Sequence, residues 1–141
     1  MAFMAASTIG LPCRTVIRIH GHQVSVSVDG EITETFSVDD PLAWIEQYQA
    51  CFEVPDRHDL PRFTGGLVGY FGYDTIGYIE PKLRRDDKPD PLGTPDILLM
   101  LSEEVVEFDN LAGKLFLIVQ VEPEYKQQGL DRLNELQAQL T

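Results

Sequence analysis

Cysteine is almost missing from this 141-residue chain: only Cys13 and Cys51 occur, and neither belongs to a CxxC pair. That excludes a disulfide framework and predicts two buried, reduced thiols of the cytoplasmic kind. Basic residues are scarce, with 11 Lys plus Arg against 23 Asp plus Glu and a net charge of -12. A nucleic-acid surface needs a basic patch, so nucleic acid is excluded as a partner. No apolar run approaches the roughly 20 residues of a membrane span, and Met1 to Ala6 lacks the charged and apolar regions of a secretion signal. The expectation is a soluble cytoplasmic chain without a membrane partner. No GxSxG motif, Ser-His-Asp or Cys-His constellation, internal repeat or low-complexity segment occurs.

What is present suits one globular domain, with 43% hydrophobic and 24% charged residues. The stretch Gly65 to Asp74, GGLVGYFGYD, holds four glycines and three aromatics in ten residues. Interior glycines cost a helix about 1 kcal/mol each relative to Ala. Read with period two, Leu67, Gly69, Phe71 and Tyr73 share one face, while Val68, Tyr70, Gly72 and Asp74 share the other. This predicts a buried, tightly packed strand in which Gly69 and Gly72 let neighbouring backbone or rings come close. A phosphate loop is excluded, because no Lys-Ser or Lys-Thr follows the glycines and Thr64 stands where a dinucleotide fingerprint needs glycine.

Before that stretch, Arg14 to Ile19, Val24 to Val28 and Ile32 to Phe36 alternate in the strand manner, and Asp29-Gly30 is a two-residue hairpin signal. They predict an antiparallel meander, apolar on one face. Asp40-Pro41 opens a helix with Leu42, Ile45, Tyr48 and Phe52 along its stripe and Trp44 at the edge. Val54 to Pro61 reads as a loop, and Pro81 to Pro95 as an exposed, proline-broken one. Ile97 to Met100 predicts a strand buried on both faces, extended or followed by Val105 to Phe108. After a turn at Asp109 to Gly113, Lys114 to Val121 runs back. Pro123 opens a last helix striped by Leu130, Leu133, Leu136 or Gln137, and Leu140, which Gly129 weakens. The predicted class is α+β, mainly antiparallel, with two packed helices over one or two sheets.

Candidate chemistry is sparse. His20 and His22, two apart, would share one face of a strand, but no third metal ligand is identifiable and a solvated turn at Gly21 explains them. His58 lies in an exposed loop. The acidic pairs Asp39-Asp40, Asp86-Asp87 and Glu103-Glu104 point to opposite faces of an extended chain and serve as caps or solvated charges. Asp74 and Glu80 follow the glycine strand, and if buried would need a donor such as Arg62 or backbone amides, a structural role rather than catalysis.

The run from Pro61 to Asp74, followed by Glu80, resembles the N-terminal region of anthranilate synthase component I, and less distinctively component I of aminodeoxychorismate synthase. Ser7-Thr8-Ile9-Gly10 is similar to the end of the family's Arg-Tyr-Ser-x-x-Gly segment, with Ala5-Ala6 in place of Arg-Tyr. Asp96 to Met100, with Val105 to Lys114, resembles its long hairpin. The resemblance spans nearly all of residues 1–141 and implies the N-terminal part of a larger fold. Gly65, Gly66, Gly69, Tyr70, Gly72, Tyr73, Asp74 and Glu80 are its structural motif. It also implies a parent lyase of tryptophan biosynthesis that makes anthranilate and pyruvate from chorismate and from ammonia supplied by a glutamine amidotransferase subunit. Mg2+ would be bound in a C-terminal chorismate-binding domain. Neither that domain nor the upstream Leu-Leu-Glu-Ser segment is in the sequence, which looks like an excised piece, catalytically silent alone. Ser7 would edge the pocket for tryptophan, the inhibiting end product. A non-enzymatic interaction module is the alternative outside enzymes.

Overall fold

Valine and serine alternate through residues 23–28, so the chain can bury one side of a strand and hydrogen-bond along the other. In the computed structural model, which describes residues 6–84 and 89–141, that strand is β3 (Gln23–Val28). It lies between β2 (Thr15–His20) and β4 (Glu31–Ser37), and the expected meander forms. The chain divides into two units: residues 14–54 with 67–101, and residues 1–13 with 55–66 and 102–141.

The first unit holds a five-stranded sheet in the order β4-β3-β2-β6-β5, where β5 is Gly66–Phe71 and β6 is Ile97–Ser102. Antiparallel register sets Ile17 opposite Val26 and Leu99, and Ile19 opposite Val24 and Ile97. These six residues and Ile45 form the core, with Ile17, Ile19, Val24 and Ile97 fully buried. Burying each such side chain contributes about 1.5–3 kcal/mol. On the opposite face Ser27 is buried and satisfied: it accepts from Arg18 Nη1 at 3.0 Å and donates to the Val16 carbonyl at 3.3 Å.

The β3-β4 connection is a type I′ turn, with φ of 52° at Asp29 and 86° at Gly30. Helix α1 (Pro41–Ala50) starts as predicted, with Asp40 Oδ1 accepting from the Leu42 and Ala43 amides at 3.1 Å. Ile45 enters the core, and Leu42, Trp44 and Tyr48 pack at its margin. Phe52 reaches no further than an edge contact with Tyr48.

Three expectations are corrected. The glycine-aromatic strand exists, but β5 is an edge strand with Val68, Tyr70 and Phe71 exposed, because it pairs with β6 on one side only. It also stops at Phe71. Tyr73–Thr75 is a 3-10 turn leading into the one-turn helix α2 (Ile76–Ile79), since Thr75 donates its hydroxyl back to the Gly72 carbonyl at 2.6 Å. Cys51 is exposed at the C-cap of α1 and Cys13 is half-buried, so neither is a buried thiol, though both are free. The Asp86-Asp87 pair and the start of the chain lie outside the described residues.

The second unit holds a three-stranded antiparallel sheet in the order β1-β7-β8, made of Ala6–Gly10, Glu104–Asp109 and Lys114–Val119. The strand β1 is an addition to the sequence reading. The β7-β8 hairpin forms as expected, its turn held by Asp109 Oδ1 accepting from the Leu111 and Ala112 amides at 3.0 and 2.9 Å. After a 3-10 turn at Pro123–Tyr125, helix α3 (Lys126–Leu140) runs along β8. Gly129 is buried on α3 because a Cβ there would lie 2.8 Å from Val121 Cγ2. Its absent side chain seats the helix, while Leu130 and Leu140 stay exposed. Arg132 forks onto Glu104 at 2.8 and 3.0 Å and reaches Glu135 at 3.1 Å, and these hydrogen bonds raise its proton affinity further.

Candidate functional site

Beyond the end of β5 the chain makes a cleft of about 430 Å³ within the first unit, lined among others by Tyr70, Tyr73, Asp74, Tyr78, Arg84 and Asp96. Asp96, the residue just before β6, is one of its walls. The Asp96 carboxylate accepts from the Gly21 amide at 2.6 Å and from the Tyr78 hydroxyl at 3.3 Å. The same hydroxyl lies 2.5 Å from the Gly21 carbonyl. Backbone bonds fix Asp96 from both sides, with its amide donating to Ile19 at 2.8 Å and its carbonyl accepting from Gly72 at 2.7 Å. Tyr70 donates its hydroxyl to the Pro95 carbonyl at 2.9 Å. The carboxylate therefore joins the β2-β3 turn, α2 and the start of β6.

Burial pushes the Tyr78 hydroxyl up to about 12, and the nearby Asp96 charge adds to the shift. The sign follows from linkage: the folded state keeps the proton more tightly than the unfolded chain. Stability from this group is therefore complete below about pH 10 and lost as pH rises through about 12. An ultraviolet titration should show Tyr78 ionising late, and Tyr78→Phe should remove that late step. An unchanged titration would refute the placement.

His20 ends β2, while His22 sits in the turn with Nδ1 3.1 Å from the Val38 carbonyl, Nε2 3.3 Å from Arg84 Nη1 and its ring edge-on to Tyr78. Since a carbonyl only accepts and a guanidinium only donates, His22 is the Nδ1-protonated neutral tautomer. Among the described residues no group of three or more His, Cys, Asp or Glu could hold a metal. Gly65 and Gly66 have φ of 129° and 132°, and a Cβ on Gly65 would lie 2.6 Å from the Ser102 carbonyl oxygen. Gly69 passes directly over the Leu98 carbonyl, and Gly72 lies against Asp96. Tyr73 is 92% exposed, and Asp74, Glu80 and Arg62 are exposed too. Ser7, in the second unit, is on the outer strand β1 opposite Phe108, its hydroxyl accepting from Asn110 Nδ2 at 3.2 Å.

The sequence reading missed Asp96, Tyr78 and Asn110. An Asp before an apolar strand was the one available signal for Asp96. The cleft offers hydrogen bonds and charge that position backbone.

No family model matches the chain. Among curated proteins it is 55% identical over 133 residues to anthranilate synthase component 1 of Pseudomonas aeruginosa, a match that covers 92% of this chain and 27% of that protein. The chain is homologous to a segment of anthranilate synthase component 1. The protein of that name from serogroup C Neisseria meningitidis is 46% identical over 140 residues, 95% of this chain and 28% of its own length. The chain thus spans little more than a quarter of the curated anthranilate synthase components it matches. A crystal structure of anthranilate synthase component I from Streptococcus pneumoniae superposes with a TM-score of 0.66 at 23% identity, over 94% of this chain and 29% of that one. At that identity the likeness concerns the fold. Among the described residues no helix is long and apolar enough to cross a membrane.

Proposed function

We propose that this chain is the N-terminal regulatory and scaffolding region of an anthranilate synthase component 1, catalytically silent by itself. The reading is carried by the 55% identity that extends over 92% of the chain. The chemistry, chorismate with ammonia or glutamine to anthranilate and pyruvate, belongs to a C-terminal chorismate-binding domain working with a glutamine amidotransferase subunit. Mg2+ supplies charge neutralisation in that domain, and the carboxylates described here do not form a set that fits it. The residues of this chain bind and position. An effector such as tryptophan, bound at an edge that includes Ser7, would act by favouring one arrangement of the complete enzyme over another.

Exposed Val68, Tyr70 and Phe71 of β5 support the scaffolding part, since an uncharged, aromatic edge strand is unusual unless something covers it. The test joins this chain to the complementary C-terminal portion of the Pseudomonas aeruginosa relative and follows anthranilate fluorescence. The joined protein should turn over chorismate and be inhibited by tryptophan, Ser7→Phe should weaken that inhibition, and the chain alone should be inactive. Turnover by the chain alone, or a joined protein indifferent to tryptophan, would overturn the reading.

A further inference from the structure

Glu107 lies at the middle of β7, the central strand of the β1-β7-β8 sheet, opposite Thr8 of β1 and Phe116 of β8. It is only 3% exposed, and its Oε2 is buried without a hydrogen-bond partner among the described residues. The ladders to β1 and β8 already engage the backbone groups beside it. A buried carboxylate without a donor is costly, and taking up a proton relieves that cost.

Among the described residues the same face of the sheet offers no compensating cation beside Glu107. Along β7 the same face carries Val105 and the acidic Asp109, and from β1 it carries Ala6, Thr8 and Gly10, three residues without a titratable side chain. From β8 the same face carries Phe116, Ile118 and Lys114, and Lys114 is exposed and in register with Asp109, not with Glu107. Gln120, just after β8, donates to the Thr64 carbonyl and so brings the 55–66 segment to that side. The charged residues of that segment, Asp56, Arg57, His58, Asp59 and Arg62, are all exposed, with Arg57 paired to Asp59. From α3, Arg132 is committed to Glu104 and Glu135, and Glu104 is three residues from Glu107, on the other face of the strand.

We propose that Glu107 is a proton-dependent fastener for β1: neutral, it lets the sheet close over it, and ionised, it must reach water by loosening the outer strand. The β1 strand is the element that can yield, having five residues, all exposed, and pairing on one side only. Because Ser7 lies on it, proton occupancy at Glu107 changes how Ser7 is presented. Only the regulatory meaning of that change rests on the function proposed above.

The direction agrees with electrostatics, since burial raises the carboxyl's proton affinity and the Asp109 charge adds to the effect. Proton binding is then tighter in the closed sheet than in the opened one. Closure is most stable below the ordinary glutamate value of 4.5, weakens as pH rises through the raised value, and is constant above it. Within that window the closed-to-open ratio falls by up to about tenfold per pH unit, the limit for one proton.

The test uses the full chain, with carbon-detected NMR of the Glu107 carboxyl and hydrogen exchange of the β1 amides bonded to β7, from about pH 4 to pH 8. Glu107 should titrate above the ordinary glutamate value of 4.5, and β1 protection factors should fall in step while those of β3 hold. Glu107→Gln, neutral and of the same shape, should remove the pH dependence of β1, and Asp109→Asn should move the midpoint down. Glu107 titrating at the ordinary glutamate value of 4.5, or the same pH profile in wild type and Glu107→Gln, would overturn the proposal. Should Glu107→Gln not fold, the paired carboxyl and amide titrations of the wild type decide alone. None of these readouts involves chorismate or tryptophan, so their failure is distinct from failure of the enzymatic assignment.

Discussion

Gly69→Ala should lower the stability of the five-stranded sheet by about 3 kcal/mol or more. A Cβ at this position would lie 1.9 Å from the Leu98 carbonyl oxygen, 2.8 Å from its carbon and 2.9 Å from the Leu99 Cα. All three atoms are backbone, so no rotamer change can relieve the clash and β5 must move away from β6. Denaturant unfolding followed by Trp44, the one tryptophan, which packs at the core's margin, reports the loss directly. Gly30→Ala is the control, because its Cβ would meet nothing within 4 Å and only its φ of 86° is strained. That variant should cost about 1 kcal/mol. Equal costs at the two positions would show that the β5-β6 approach is not as close as described.

Ile97→Ala should cost about 2–5 kcal/mol, and Ile97→Val about 0.5–1.5 kcal/mol. Ile97 is fully buried where β6 begins, cross-strand from Ile19 and in the same cluster as Ile45 of α1. It is also next to Asp96, so any collapse around the lost methyl groups would disturb the carboxylate that holds the Gly21 turn and Tyr78. The expected signature is a lower midpoint with an unchanged denaturant slope, together with earlier ionisation of Tyr78 in the alkaline titration. A cost under about 1 kcal/mol would place Ile97 at the periphery of the core, contrary to its burial.

How far the residues announce this arrangement depends on whether the deciding interaction is local. Asp29-Gly30 and Asp40-Pro41 could be read directly, since a type I′ turn and a helix cap are set by neighbouring residues. The close approach at Gly69 was legible too, but not that β5 lies at an edge, because strand order is decided by residues some thirty positions away in β6. Ala6–Gly10 has one large apolar residue, Ile9, and no alternation to mark it as a strand, and β7 supplies the pairing that makes it one. Gly129 looked like a weakness in α3, but a side chain there would crowd Val121 just beyond the end of β8. Of the residues around the cleft, Tyr78 had no motif to betray it, Asp96 was marked only as the start of a strand, and the burial of Glu107 contradicts its residue type outright. Tertiary partners decide these positions, and a linear pattern does not encode them.

The position of β6 between β2 and β5 has a consequence for synthesis on the ribosome. Strands β2, β3 and β4 are consecutive and can pair as they emerge, but the strand that fastens Gly66–Phe71 to them is not made until residue 102 has left the exit tunnel. For that interval the aromatic ribbon is tethered and unpaired, a time when nascent chains are vulnerable to one another. Slow translation across the proline-rich 81–95 stretch would lengthen this exposure, and a chaperone that shields extended apolar segments would have its main task there.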